Sequence, residues 1–223
     1  MNALTAALKE ELNVDMVTVF GLSIPESVVV SWGIMAFLVI VSILLTRNLK
    51  VNHISKRQAI LETAVVTMDN FFKDLLGEAG KQYVPYLITV ALYIACSNLI
   101  GIIGLKPPTK DLNVTAALAI MSIVLIEYSG IHAKGGKRFV HSLAEPIALM
   151  TPMNILEIAI RPSLCMRLFG NVLGAFVIME LIKLVVPVFV PAIFSLYFDL
   201  FDGLIQTYVF VFLTSLFMKE TME

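Results

Sequence analysis

Hydrophobic positions in this chain gather into long uncharged runs. They do not form the stripes and alternations of a soluble domain. Residues 28–46 hold the first run, closed by Arg47 and Lys50, with Trp32 near its start where an interfacial aromatic belongs. A second run fills 84–105 and stops at Lys106-Pro107-Pro108, because proline cannot continue the helical ladder. A third, shorter run lies between Asp111 and Glu127, so residues 84–127 read as a two-span hairpin. Residues 57–77 differ: Ile60, Leu61, Ala64, Val65, Met68, Phe71, Phe72, Leu75 and Leu76 recur at helical spacing, with Arg57, Glu62, Asp69, Lys73 and Asp74 on other faces. That pattern predicts an amphipathic helix at the membrane surface.

Residues 129–138 read as a basic loop with Lys134, Lys137 and Arg138. The stretch 139–186 begins mixed, running into or along the membrane, and becomes one long helix after Pro162. Pro187 and Pro191 punctuate a turn, and a last helix fills 192–219. Ahead of the first span, residues 1–25 form a short head ended by Pro25. The expected fold is therefore all-α: one integral membrane domain of five membrane helices plus a surface helix.

Composition supports this class. Hydrophobic residues make up 58% of the 223, and only 15% are charged, against about 25% in a soluble domain. The net charge of −1, with no basic tract, gives no footing for nucleic acid. Cys96 and Cys165 lie in apolar segments and read as small buried hydrophobes. His53, His132 and His141 are isolated, so neither a metal site nor a cofactor is expected. There is no phosphate loop or nucleophile elbow, and hence no catalytic residue to name. The head lacks the pattern of a cleaved signal peptide, and no repeat of the transporter kind is visible. Lys and Arg crowd residues 47–81 and 129–138, whereas the head and the 106–111 and 187–191 turns are poor in them. Five passes then put the N-terminus outside and the C-terminus in the cytoplasm.

Against this background Arg167 stands out. An arginine at hydrocarbon depth costs about 2.5–3.5 kcal/mol on insertion scales, so something must face it. A helix turns about 100° per residue, which places Ser163, Gly170, Asn171 and Gly174 within about 60° of Arg167. Gly170 and Gly174 are read in two ways: as a close helix-packing face, or as room beside the guanidinium for another surface. Glu180 and Lys183 occupy a different face at pairing distance. In the last helix Ser195, Asp199 and Asp202 fall within about 40° of Gln206. Two carboxylates in a membrane stripe favour a hydrated ion path over a plain bundle contact. The two helices form a hairpin: a fixed positive charge beside a half-path.

These residues resemble a known family. MRLFGNVLGAF, with LIQTYVF some way on, and SNLIGIIG, PPTKDLNVTAALA and EIAIRP upstream, are similar to the ATP synthase A chain family, the subunit a of F-type ATP synthases. The likeness covers most of the chain from the first span onward. It implies a stator subunit whose two half-channels and arginine couple proton or sodium movement to rotation of a c-subunit ring. Arg167 matches the arginine that faces the ring, Gln206 the glutamine opposite it, Asn171 the asparagine one turn later, and Ser163 a small polar position one turn earlier. Asp199 falls where relatives carry a polar residue lining an aqueous path, and Glu157 matches an acid ahead of the arginine. Gly170 and Gly174 become ring-facing small residues. Implied partners are the c ring, the b-subunit peripheral stalk, the rest of the ATP synthase and membrane lipid; the last two helices are expected to lie strongly tilted. Two departures stand. Phe176 sits where many relatives carry His or Glu, with Glu180 one turn on as a stand-in, and Asp202 matches no family role. The rival reading is a self-contained ion channel or secondary transporter, which would need a complete ion path of its own.

Overall fold

A computed structural model describes residues 16–19, 22–47, 49, 55–135, 161–185 and 189–222. Residues 139–160 lie outside the described residues, and Glu157 with them. The described chain is built of α1 (Glu26–Thr46), α2 (Lys56–Leu76), α3 (Val84–Leu99), α4 (Leu112–Lys134), α5 (Ser163–Val185), α6 (Phe189–Ser195) and α7 (Gly203–Met222). A π-helical turn, Leu196–Asp202, joins α6 to α7. Among the described residues five helical stretches are long and apolar enough to cross a membrane. The chain is an all-α membrane protein. To this the head adds a small antiparallel hairpin, β1 (Met16–Val19) on β2 (Leu22–Pro25), with Val17 opposite Ile24.

The ends of α2 follow from local chemistry. Ser55 Oγ accepts the Gln58 N–H at 3.3 Å, satisfying one orphan donor at the helix start. Gly77, at φ 69°, stops the helix in a conformation other residues resist, and its N–H returns to the Lys73 carbonyl. Phe72 and Leu76 are buried, while Ile60, Val65 and Phe71 remain exposed.

One expectation fails in an informative way. The 84–127 hairpin was to end at Glu127, with a loop over 129–138; instead α4 runs to Lys134 and is capped by Gly135 at φ 80°. Glu127 does not break the helix because its charge is matched: the buried Arg161 guanidinium donates to Glu127 Oε1. A second Arg161 nitrogen donates to Thr221 Oγ1 in α7 at 3.0 Å. A charged residue was read as a boundary when it is one half of an ion pair.

Contacts divide the chain into two compact units. The first comprises Met1–Ala36, Tyr93–Leu118 and Cys165–Tyr208. Polar side chains tie it together. Tyr93 Oη donates to Ser31 Oγ, Ser31 Oγ to the Ser27 carbonyl, and Ser27 Oγ to Asp111 Oδ2. The other Asp111 oxygen caps α4 by accepting the Asn113 N–H at 2.9 Å. Ile34, Ile94, Leu118, Leu168 and Met179 are its buried apolar residues.

The second unit comprises Phe37–Leu92, Ala119–Leu164 and Val209–Glu223. Its core holds Phe72, Leu87, Ile126, Leu164 and Met218, and Tyr86 Oη bonds Ser122 Oγ at 3.1 Å. The Arg161–Glu127–Thr221 cluster lies wholly within it. Removing one member of a buried pair strands the other charge. Glu127→Ala should therefore destabilise the protein by about 3 kcal/mol. Thermal unfolding in detergent reads this directly, and an unchanged midpoint would show that the pair contributes nothing.

Candidate functional site

Leu164 and Leu168 turn one side of α5 inward, so its opposite side is open. Ser163, Arg167, Gly170 and Asn171 are all exposed, with Gly174 half-buried beyond them. A methyl group added at Gly170 or Gly174 would meet nothing within 4 Å. The glycines are thus not packed against another helix among the described residues. Arg167 itself makes no hydrogen bond or ion pair with any described residue. The guanidinium and its small neighbours form one open strip.

On the next turn Asn171 Nδ2 donates to Gln206 Oε1 at 2.6 Å. Gln206 is only 3% exposed, and its Nε2 finds no acceptor among the described residues. The glutamine therefore engages the residue one turn after the arginine, not the arginine itself.

Behind Gln206 lies a cavity of about 500 Å³. Glu180, Asp199 and Asp202 contribute carboxylates to its wall, and Lys106 and Lys183 contribute ammonium groups. Glu180 is held by Lys183 at 2.6 Å, the i,i+3 pair that their spacing predicts. Ser195 Oγ donates to Asp199 Oδ2 at 2.5 Å. Asp202 accepts no hydrogen bond from a described residue. Phe176 also lines the cavity, and Lys110 Nζ sits 4.2 Å from the centre of its ring. No group of three or more His, Cys, Asp or Glu suited to a metal occurs among the described residues.

The face count along the last helix assumed an unbroken α-helix, and the π-helical turn breaks that assumption. Ser195, Asp199, Asp202 and Gln206 nevertheless line the same cavity. Of the residues singled out from the sequence, Ser163, Arg167, Gly170, Asn171 and Gly174 belong to the open strip, Glu180, Lys183, Ser195, Asp199, Asp202 and Gln206 line the cavity, and Glu157 lies outside the described residues. Asn98, Gly101 and Thr109 fall within the stretches SNLIGIIG and PPTKDLNVTAALA that carry the family likeness, but none of the three has a role read from the sequence. Asn98 is 4% exposed, accepts from Thr109 Oγ1 at 2.9 Å and donates to the Gly203 carbonyl at 3.0 Å. An amide in an otherwise apolar span was the available signal.

Such a cavity can hold water and pass protons or small cations between carboxylates. Comparison with known proteins agrees. The profile of the ATP synthase A chain matches residues 28–219. The chain belongs to the ATP synthase A chain family. It is 33% identical over 218 residues to "ATP synthase subunit a, sodium ion specific" of Propionigenium modestum, covering 90% of this chain and 75% of that one. It is 33% identical over 192 residues to ATP synthase subunit a of Moorella thermoacetica, covering 85% and 87%. With the Geotalea daltonii subunit it shares 34% over 204 residues, covering 89% and 88%. This family member is thus a multi-pass membrane subunit of the Fo sector and takes part in ion translocation.

The open glycines make a sharp expectation. Gly170→Leu has space in this chain and gains helix propensity, so the stability of the purified subunit should change by less than about 1 kcal/mol. If another subunit packs on this open face, ion-driven ATP synthesis by the whole complex should fall to background. Normal synthesis by Gly170→Leu would show that this face is not so used.

Proposed function

We propose that this subunit is the stator half of a rotary ion motor. Arg167 faces a passing carboxylate on each c subunit of the ring, and two half-channels bring ions to and from that carboxylate. The open strip around Arg167 carries this reading: a charge expensive to hold in the membrane has no partner among the described residues of its own chain. The partner would then be supplied by another chain.

The physics of the cycle is simple. A ring carboxylate facing lipid is best kept neutral, protonated or ion-bound, because a bare charge there is costly. Opposite Arg167 the charged form becomes favourable, since an opposite charge within a few ångströms favours ionisation. The released ion leaves by one half-channel, the ring turns, and the carboxylate reloads from the other. The guanidinium cannot give up its proton, so it blocks direct leakage between the two paths. Each charge crossing 100 mV contributes about 2.3 kcal/mol.

In this scheme the cavity of Asp199, Asp202, Glu180 and Gln206 is one half-channel. Asn171 and Ser163 flank the arginine, Gly170 and Gly174 clear the ring's path, and Glu157 serves the same path from ahead of the arginine. Glu180 stands in for the polar residue replaced by Phe176. The b-subunit stalk holds the chain against the torque, with the N-terminus outside and the C-terminus in the cytoplasm. Proton and sodium both fit, because the choice between them rests with the ring's own site. In reconstituted vesicles, Arg167→Ala should abolish ion-coupled ATP synthesis while the complex still assembles. Wild-type synthesis by that variant would refute the proposal.

A further inference from the structure

We infer that Asn98 and Gly101 are positioning residues that hold the π-helical turn and so set where Asp199 and Asp202 stand in the cavity. The inference rests on the half-channel reading above and deepens it. All of the residues involved belong to the first compact unit.

The π turn ends at Gly203, whose N–H is shared between the carbonyls of Leu200 and Phe198. The bond to Phe198 spans five residues, which is the π pattern. Gly203 is also where Asn98 attaches. The Asn98 amide donates to the Gly203 carbonyl, and Thr207 Oγ1 donates to the same oxygen at 2.8 Å. Glycine at 203 eases this approach, since a Cβ there would lie a tight 3.0 Å from Asn98 Cβ. The other end of the Asn98 amide is fixed by Thr109, which is itself fully buried. Thr109, Asn98 and Gly203 thus form one line of hydrogen bonds from the 106–111 turn to the junction of the last helix.

Gly101, three residues on from Asn98, sets the other contact. A Cβ at Gly101 would fall 2.6 Å from Asp199 Oδ1. The bare backbone is what leaves the carboxylate room. The obstructed atom is the tip of a side chain, so an alanine at 101 should turn the carboxylate away without moving the helices. Asn98 therefore sets the register of the turn, and Gly101 sets the direction of its first carboxylate. In a membrane interior an asparagine that served packing alone would be better replaced by leucine.

The test uses the intact ATP synthase in vesicles, measuring ATP-driven ion uptake alongside subunit content. Thr109→Ser keeps the hydroxyl and should stay within about twofold of wild type. Thr109→Val has the same shape without the hydroxyl. Thr109→Val, Asn98→Leu and Gly101→Ala should each assemble normally and slow uptake about tenfold or more, since small misplacements are costly to transfer steps. Gly101→Ala at the wild-type rate, or Thr109→Val equal to Thr109→Ser, would overturn the inference. Should Asn98→Leu fail to assemble, the Thr109 pair and Gly101→Ala decide. Arg167→Ala is run beside them: uptake at the wild-type rate in that variant would remove the underlying half-channel reading, whereas a dead Arg167→Ala with a normal Gly101→Ala would remove the positioning claim alone.

Discussion

An arginine in a membrane helix needs an answering charge or water, and no described residue of this chain answers Arg167. Arg167 stands on the open side of α5, and the buried leucines on the other side hold it there. A carboxylate among the described residues would lock the guanidinium in a static pair, as Glu127 does for Arg161. The two arginines lie six positions apart on the same stretch and have opposite fates. Arg161 is buried and paired, and ties parts of the second unit together; Arg167 is exposed and unpaired among the described residues. That contrast separates a charge built into the fold from one left open at the surface of the helix.

The same economy of polar groups shapes the cavity. In a span without bulk water each buried polar atom must find a partner or a hydrated space. Asn98 satisfies both ends of its amide, Thr109 and Thr207 satisfy their hydroxyls, and Asp111 uses both of its oxygens. Of the groups left over, Gln206 with its unpartnered Nε2 and Asp202 belong to the cavity wall, while Tyr83 Oη, Ser97 Oγ and Arg161 Nε are buried elsewhere without a partner among the described residues. Gln206 and Asp202 share that space with the Asp199 and Glu180 carboxylates, a lining suited to a hydrated cavity. The π turn concentrates them further by breaking the helix register where the carboxylates sit.

Much of this was legible in the sequence. Uncharged runs located the membrane helices, and helical spacing picked out both the Arg167 strip and the Glu180–Lys183 pair. Charge misled at Glu127, because a hydropathy run cannot tell a boundary residue from one whose charge is matched from afar. The π turn was invisible, since its cause is tertiary: Asn98 reaches Gly203 across 105 positions of chain. Gly101 likewise gives no local signal, because its meaning lies in the Asp199 oxygen it leaves room for. The role proposed for Arg167 came from the family likeness and not from geometry, since no described residue of this chain faces it.

The direct measurement is therefore one of contact. A cysteine placed at Gly170 or Gly174, paired with cysteines flanking the ring carboxylate of the c subunit, should form disulfides between the two subunits in native membranes. Cross-links at both positions, each blocking rotation-coupled activity until reduced, are the expected result. If neither position cross-links to the ring while buried positions such as Leu168 do, Arg167 faces some other partner and the stator reading is wrong.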